Sequence, residues 1–235
     1  MLLLLALAIA PGLAICLFIY AMDKYDKEPL GLLIRSFLLG ILCVCFPLVI
    51  QFLAMSAGLR ENPGSIAGTA IFAYAVVGLS EELGKFLVLR YYAYPKPAFN
   101  EPYDGIVYAV MVGMGFATAE NIVYVLQYGV GTGIARMFLS VPAHATFAIL
   151  MGHYAGLAKF KPGQSGTYLF YGLFLAVFFH GTFDFFLFLG NNLLLLGGSL
   201  VSLYIGIRLS VTAVKKHRAL SRSLYESDYF NNIQE

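Results

Sequence analysis

Seven apolar stretches, each near the length that crosses a bilayer as a helix, constrain this chain more than any motif does. They run at about 2–22, 31–58, 66–92, 104–128, 135–158, 167–190 and 193–214. A spanning helix needs ~20 predominantly apolar residues, and most of these runs reach or exceed that. The breaks between them are polar or rich in Gly and Pro: DKYDKEP, LRENPGS, AYPKPAFNEPY, YGVGTG, KFKPGQSG and a very short GNN. The expected fold is therefore all-α, a polytopic transmembrane helical bundle of about seven helices. Composition agrees, with 60% of residues apolar and only 12% charged, against about 25% charged in a soluble domain.

The domain expectation is one integral-membrane unit over 1–214 and a polar tail over 215–235, with no room for a sizeable soluble domain. The first stretch lacks the basic start of a signal peptide and stays apolar to Tyr20, so it is read as a retained helix. The second is longer than needed and is expected to tilt or to extend beyond the hydrocarbon. Lys24, Lys27, Arg90, Lys96, Lys159, Lys161, Lys215, Lys216, Arg218 and Arg222 flank one side of the spans, and only Arg60 and Arg136 the other. That bias places the N-terminus outside and the C-terminus in the cytoplasm. The basic start of the tail reads as an anchor near anionic head groups. Cys16, Cys43 and Cys45 lie in apolar runs without ligand spacing and read as core packing.

Ionisable residues inside the spans are the informative exceptions. Glu81 and Glu82 lie in span three, Glu120 in span four, His144 in span five, and His180 with Asp184 in span six. A charge at the bilayer centre costs roughly 2.5–3.5 kcal/mol even on lenient scales, so such groups normally face one another or water and mark function. At ~1.5 Å per residue, all four spans place these groups between the midplane and the outer half. Glu81 and Lys85 are four residues apart, one turn, so the ammonium can reach back to the carboxylate. His180 and Asp184 share that spacing, which suits a carboxylate orienting an imidazole. Pro142 is expected to kink span five just above His144. Asp104 reads as the N-cap of span four, and His153 falls on another face, toward the cytoplasm.

Three functions compete for this layer. Polar glue between helices would also recruit Ser80, Thr118, Asn121 and Thr146, but Ser or Asn would serve that role at lower cost than three carboxylates. An ion- or proton-coupled transporter is the second reading, although no internal repeat or matched pair of broken helices is visible. The third is hydrolysis, with a Glu accepting a proton from water and imidazoles stabilising an oxyanion or binding a metal. No GxSxG, HExxH or GxGD motif and no pair of intramembrane Asp residues is present.

In order and spacing, Glu81-Glu82-x-x-Lys85, Phe116-x-x-x-Glu120, His144 and His180-x-x-x-Asp184 resemble the PrsW family of intramembrane proteases. AMDKYDKEP and FNEPYDGIVYA also resemble family segments, so the likeness spans about 20–190. The family is distantly similar to CAAX prenyl endopeptidases and bacteriocin-processing membrane proteases, from which this chain departs by carrying Glu120 and Asp184 at the second and last motifs. The resemblance implies that 1–214 is a protease domain in the cell membrane that cuts a single-pass, anti-sigma-factor-like protein near its extracytoplasmic side. The expected partners are that substrate and the lipid bilayer, with no nucleic acid. The expected catalytic set is Glu81, Glu82, Glu120, His144, His180 and Asp184, supported by Lys85. Glu81 is the general base, and His180, oriented by Asp184, stabilises the oxyanion or ligates a metal. Zinc held by Glu81, Glu120, His144 and His180 is an alternative to a metal-free glutamate mechanism. A catalytically silent scaffold is the remaining alternative.

Overall fold

The computed structural model describes residues 1–62, 64–190 and 192–233, and the side chains of these through residue 226. Pro63 and Asn191, each inside an expected break, and the end of the expected tail lie outside the described residues and side chains. No strand occurs among the described residues. Seven helical segments are long and apolar enough to cross a membrane: Leu2–Met22, Leu30–Ser56, Ile66–Ala93, Asp104–Tyr128, Val130–Phe160, Pro162–Phe188 and Leu193–Glu226.

Within these segments the backbone is less regular than apolar length suggests. Helix α1 covers Leu2–Met22. The second segment is two helices, α2 (Leu30–Leu42) and α3 (Cys45–Ser56), interrupted at Cys43–Val44. Its excess length thus goes into a break. The third begins as α4 (Ile66–Ala70), continues as a π-helical stretch over Ile71–Gly78, becomes α5 (Leu79–Val88), and ends in a second π-helical turn over Leu89–Ala93. Wider π turns are uncommon and frequent at functional sites, and here they flank the helix that carries Glu81 and Glu82.

Helix α6 (Asp104–Tyr128) is the hub of the bundle. Every residue from Asp104 to Thr118 is buried, as expected of a helix apolar on all sides, and α1, α2 and α8 pack around it. Helix α7 (Val130–Phe138) is short, and α8 (Ser140–Phe160) follows after a break at Leu139. Pro142 therefore sits in the first turn of α8, where a missing N–H costs no helical hydrogen bond, instead of kinking a continuous span. The α6–α8 contact is very close: a Cβ added at Gly105 would lie 2.5 Å from the Gly156 nitrogen. Helices α9 (Ser165–Phe188) and α10 (Leu193–Ile233) complete the bundle.

The opposite end from α7 is held by polar side chains of the first and third loops. Asn100 donates to Asp26 (2.8 Å), Tyr108 donates to Glu28, and Asp104 Oδ2 accepts from the backbone N–H of Asn100 (2.8 Å) and Glu101 (2.7 Å). Asp104 thus staples the preceding loop and does not cap its own helix, whose N-cap is Tyr103. Burial and the neighbouring Asp23 charge push the Glu101 carboxyl up to about 7, and burial pushes Asp23 to about 6. Helix α10 runs on past residue 214 as one helix, and His217 Nδ1, fully buried, donates to the Pro102 carbonyl (2.7 Å). His153 stacks edge-on against His217, with ring centroids 4.5 Å apart, on that side of the fold.

Candidate active site

Four helices bring every ionisable residue singled out above into one cluster: Glu81, Glu82 and Lys85 from α5, Glu120 from α6, His144 from α8, and His180 with Asp184 from α9. Glu81, Glu82, Lys85, His144 and His180 are all buried. Helix phase sets the geometry, since residues three and four apart share a face. Close approach of the helices does the rest. A Cβ on Gly113 would meet Ala148 Cβ at 2.7 Å, one turn from His144, so α6 and α8 touch only because that position is bare.

Lys85 is the centre of the cluster. Its Nζ lies 2.7 Å from Glu82 Oε1, 3.8 Å from Glu81 Oε2 and 3.1 Å from His144 Nδ1, and sits 4.1 Å from the Phe116 ring centroid. The expected Glu81–Lys85 pair is therefore the longer of two, and Glu82 takes the short contact. An ammonium has donors only, so His144 Nδ1 accepts and its proton is on Nε2. Nε2 donates to Glu120 Oε2 at 2.9 Å.

His180 lies between two carboxylate partners. Nδ1 is 2.7 Å from Glu82 Oε1, and Nε2 is 3.2 Å from Asp184 Oδ2 and 3.8 Å from Glu81 Oε2. The expected Asp184 contact is present, joined by one from Glu82 that spacing within a single helix cannot reveal. The rings of His144 and His180 stand edge-on, 5.2 Å apart, and Phe147 stacks on His180 at 4.9 Å. These aromatic faces hold both imidazoles in place and keep the surroundings apolar.

Two buried carboxylate oxygens, Glu81 Oε2 and Glu82 Oε2, have no hydrogen-bond partner. A buried acceptor left unmade costs roughly 1–3 kcal/mol, and more when charged. Glu81, His144 and His180 each offer one donor atom within 4.8 Å of the others, the one such group among the described residues. Four carboxylates (Glu81, Glu82, Glu120, Asp184) face two permanent cations, Lys85 and Arg136. Of the two charges left over, an imidazolium at His180 would offset one, whereas one divalent cation would offset both. Nitrogen and oxygen donors, an orphaned carboxylate oxygen and that charge deficit all fit zinc or a similar ion. Glu120, expected among the ligands, is not in the compact donor set, because His144 and Arg136 both engage its Oε2.

Two side chains in this region escaped the sequence reading. Gln51 of α3 donates to Glu81 Oε1 at 3.3 Å. Arg136 of α7 places Nη2 2.7 Å from Glu120 Oε2 and donates from Nε to Asn121 Oδ1 at 2.6 Å. Arg136 was counted only as a loop charge, yet its place as one of two basic residues against the Lys/Arg bias was itself a signal. Gln51 is a lone amide in an apolar run, a weaker one.

Comparison with known proteins agrees with the geometry. Residues 28–213 match the model of the PrsW family of intramembrane metalloproteases. The "Protease PrsW" of Geobacillus kaustophilus (strain HTA426) is 41% identical over 182 residues, covering 77% of this chain and 78% of that protein. That of Bacillus subtilis (strain 168) is 38% identical over 181 residues, 76% and 80% of the two chains. That of Clostridioides difficile (strain 630) is 35% identical over 187 residues, 77% of each. No solved structure matches this chain. The matched region contains all four site-bearing helices, and so this multi-pass membrane protein belongs to the PrsW family of intramembrane proteases.

Proposed function

We propose that this chain is an endopeptidase that hydrolyses a single-pass membrane protein within the bilayer, near the extracytoplasmic face. The observation that carries the reading is the buried group of Glu81, His144 and His180, with donor atoms within 4.8 Å of one another, beside the orphaned carboxylate oxygens Glu81 Oε2 and Glu82 Oε2 inside a lipid-embedded bundle. Glu82 is tied on its other oxygen by Lys85 and His180. Glu81 has one hydrogen bond, from Gln51 at 3.3 Å, and longer 3.8 Å contacts to Lys85 and His180, which leaves it the better placed to accept a proton from water. A base so placed typically contributes ~10²–10⁴-fold.

The remaining residues provide the complementary charge. His180 Nε2, whose contact to Asp184 is the longer of its two carboxylate contacts at 3.2 Å, turns its N–H to the carbonyl oxygen as that oxygen develops negative charge. Glu81, His144 and His180 would hold a zinc or similar ion, which when bound supplies Lewis acidity toward the scissile carbonyl and makes water more acidic. Lys85 keeps two adjacent carboxylates from repelling each other. Phe116 and Phe147 exclude bulk water and sharpen every one of these interactions.

With the N-terminus outside, the orientation that the Lys/Arg bias favours, the α7 end of the cluster, where Glu120 and Asp184 are its partly exposed members, is the extracytoplasmic one. The substrate class that fits is a membrane-anchored regulator such as an anti-sigma factor. The relatives named "Protease PrsW" support peptidase chemistry. The test is co-reconstitution with a tagged single-pass substrate and comparison of wild type with Glu81→Gln. The amide keeps shape and the Gln51 contact, so cleavage is expected to fall at least ~100-fold at unchanged protein level. Full cleavage by that variant rules out Glu81 as the base.

A further inference from the structure

Arg136 is not among the residues that sequence motifs select, yet it makes the tightest polar contacts at the α7 end of the cluster. Its Nη2 stands 2.7 Å from the same Glu120 Oε2 that accepts the His144 Nε2–H at 2.9 Å. The guanidinium is itself fixed, by Asn121 Oδ1 at 2.6 Å and by the Tyr124 ring, 4.1 Å from its central carbon. Glu120, Asn121 and Tyr124 lie within about one turn of α6, at i, i+1 and i+4, so a single arginine from α7 locks that turn.

We propose that Arg136 is a positioning residue for the hydrolytic site, fixing the orientation of the His144 ring through Glu120. The proposal rests on the peptidase reading above. Glu120 is the least buried of the residues that hold an imidazole, with its side chain 19% exposed, so without an anchor it can swing toward solvent. A guanidinium has donors only and can hold Glu120 Oε2 in place without competing for the imidazole proton. Lys85 at Nδ1 sets the tautomer, and Glu120 so held at Nε2 fixes the direction in which the ring points. If Glu120 is released, Nε2–H loses its acceptor and the ring, held by Lys85 alone, turns away from Glu81 and His180 for part of the time.

Lysine cannot replace this arrangement fully. Its ammonium gathers all its donors on one nitrogen, whereas the planar guanidinium serves Glu120 and Asn121 from two separated nitrogens. Residues that orient a working imidazole typically cost ~10–100-fold when removed.

The experiment uses the full chain in proteoliposomes with a tagged single-pass substrate, comparing wild type, Arg136→Gln, Arg136→Lys, Glu120→Gln and the Arg136→Gln/Glu120→Gln double variant. Expected for Arg136→Gln is a ~10–100-fold lower kcat with KM within ~2-fold of wild type, and for Arg136→Lys a partial recovery. In the Glu120→Gln background, removing Arg136 is expected to cost less than ~3-fold more, because both act through one imidazole. The ¹⁵N resonances of His144 are expected to report the Nε2–H tautomer in both proteins, with a sharp Nε2–H signal in wild type and a broadened one in Arg136→Gln. Fully additive losses, a raised KM with unchanged kcat, or a Lys variant no better than Gln would each overturn the positioning role. A cleaving wild type whose Arg136→Gln variant is equally fast overturns it alone. A wild type that cuts nothing overturns the peptidase reading and this proposal together.

Discussion

Replacing Lys85 by methionine tests whether the cluster is an interdependent charge network. Lys85 is 3% exposed, 2.7 Å from Glu82 Oε1 and 3.8 Å from Glu81 Oε2. Methionine keeps the stem and its contact with Phe116, so the change removes charge and little volume. Glu82 is then left with His180 as its close partner, and Glu81 with Gln51 and a long contact to His180. Removing one partner of a buried pair costs about 3–5 kcal/mol, mostly from the stranded charge. At 1.4 kcal/mol per tenfold, the folded fraction relative to unfolded should fall by ~100- to 4,000-fold. Equilibrium unfolding in mixed micelles, with an anionic detergent as denaturant, reads this directly. Adding Glu82→Gln to Lys85→Met neutralises the stranded carboxylate and should return at least ~1.5 kcal/mol, a non-additivity expected of residues in contact. A single-variant cost below ~1 kcal/mol, or no recovery in the double variant, refutes the network.

Two further outcomes follow from the geometry. Purified wild type is expected to carry about one zinc or similar ion per chain, to lose cleavage on chelation and to regain it on metal addition, while His180→Ala carries none; a wild type free of metal whose turnover ignores strong chelators removes the ion from the mechanism. At the α10–loop junction the Glu101 carboxyl is raised from 4.5 to about 7 by burial and by Asp23, so the folded state holds this proton more tightly than the unfolded one. Stability from this group is therefore full below about pH 4.5 and is lost as pH rises through about 7. Hydrogen exchange across 99–104, corrected for intrinsic rate, should be faster at pH 8 than at pH 6 in wild type, and Glu101→Gln should remove the difference. An equal difference in the variant refutes the assignment.

Much of the architecture was legible because lipid leaves a sequence few options. All seven expected spans coincide with helical segments to within a few residues, apart from the starts of the fifth and sixth and the end of the seventh. The fifth is joined by α7 and the sixth by a 3-10 turn over Pro162–Gln164, and α10 runs on past residue 214, where His217 and Ser221 are buried. Apolar length says where a helix can run; it does not say where the helix is interrupted. The break at Cys43–Val44 lies one turn before Pro47, which has no N–H for the Cys43 carbonyl, and neither it nor the π-helical turns around α5 left a signal in hydropathy.

The site divides along the same line. Its members were visible one by one, because each ionisable residue in an apolar run carries an energetic cost that demands a partner. The partnerships within one helix, Glu81 with Lys85 and His180 with Asp184, followed from the 3.6-residue turn. Partnerships between helices did not, since they depend on helix rotation and separation, which the sequence does not encode locally. Only the tertiary structure turned Glu82 toward His180, set Glu120 between His144 and Arg136, and brought Gln51 to Glu81. By itself the sequence determined a seven-helix membrane bundle with charged groups at one level, because burying charge in lipid is too costly to be incidental. Which charge meets which was decided by the packed helices, because contacts of a few ångströms depend on neighbours far apart in the chain.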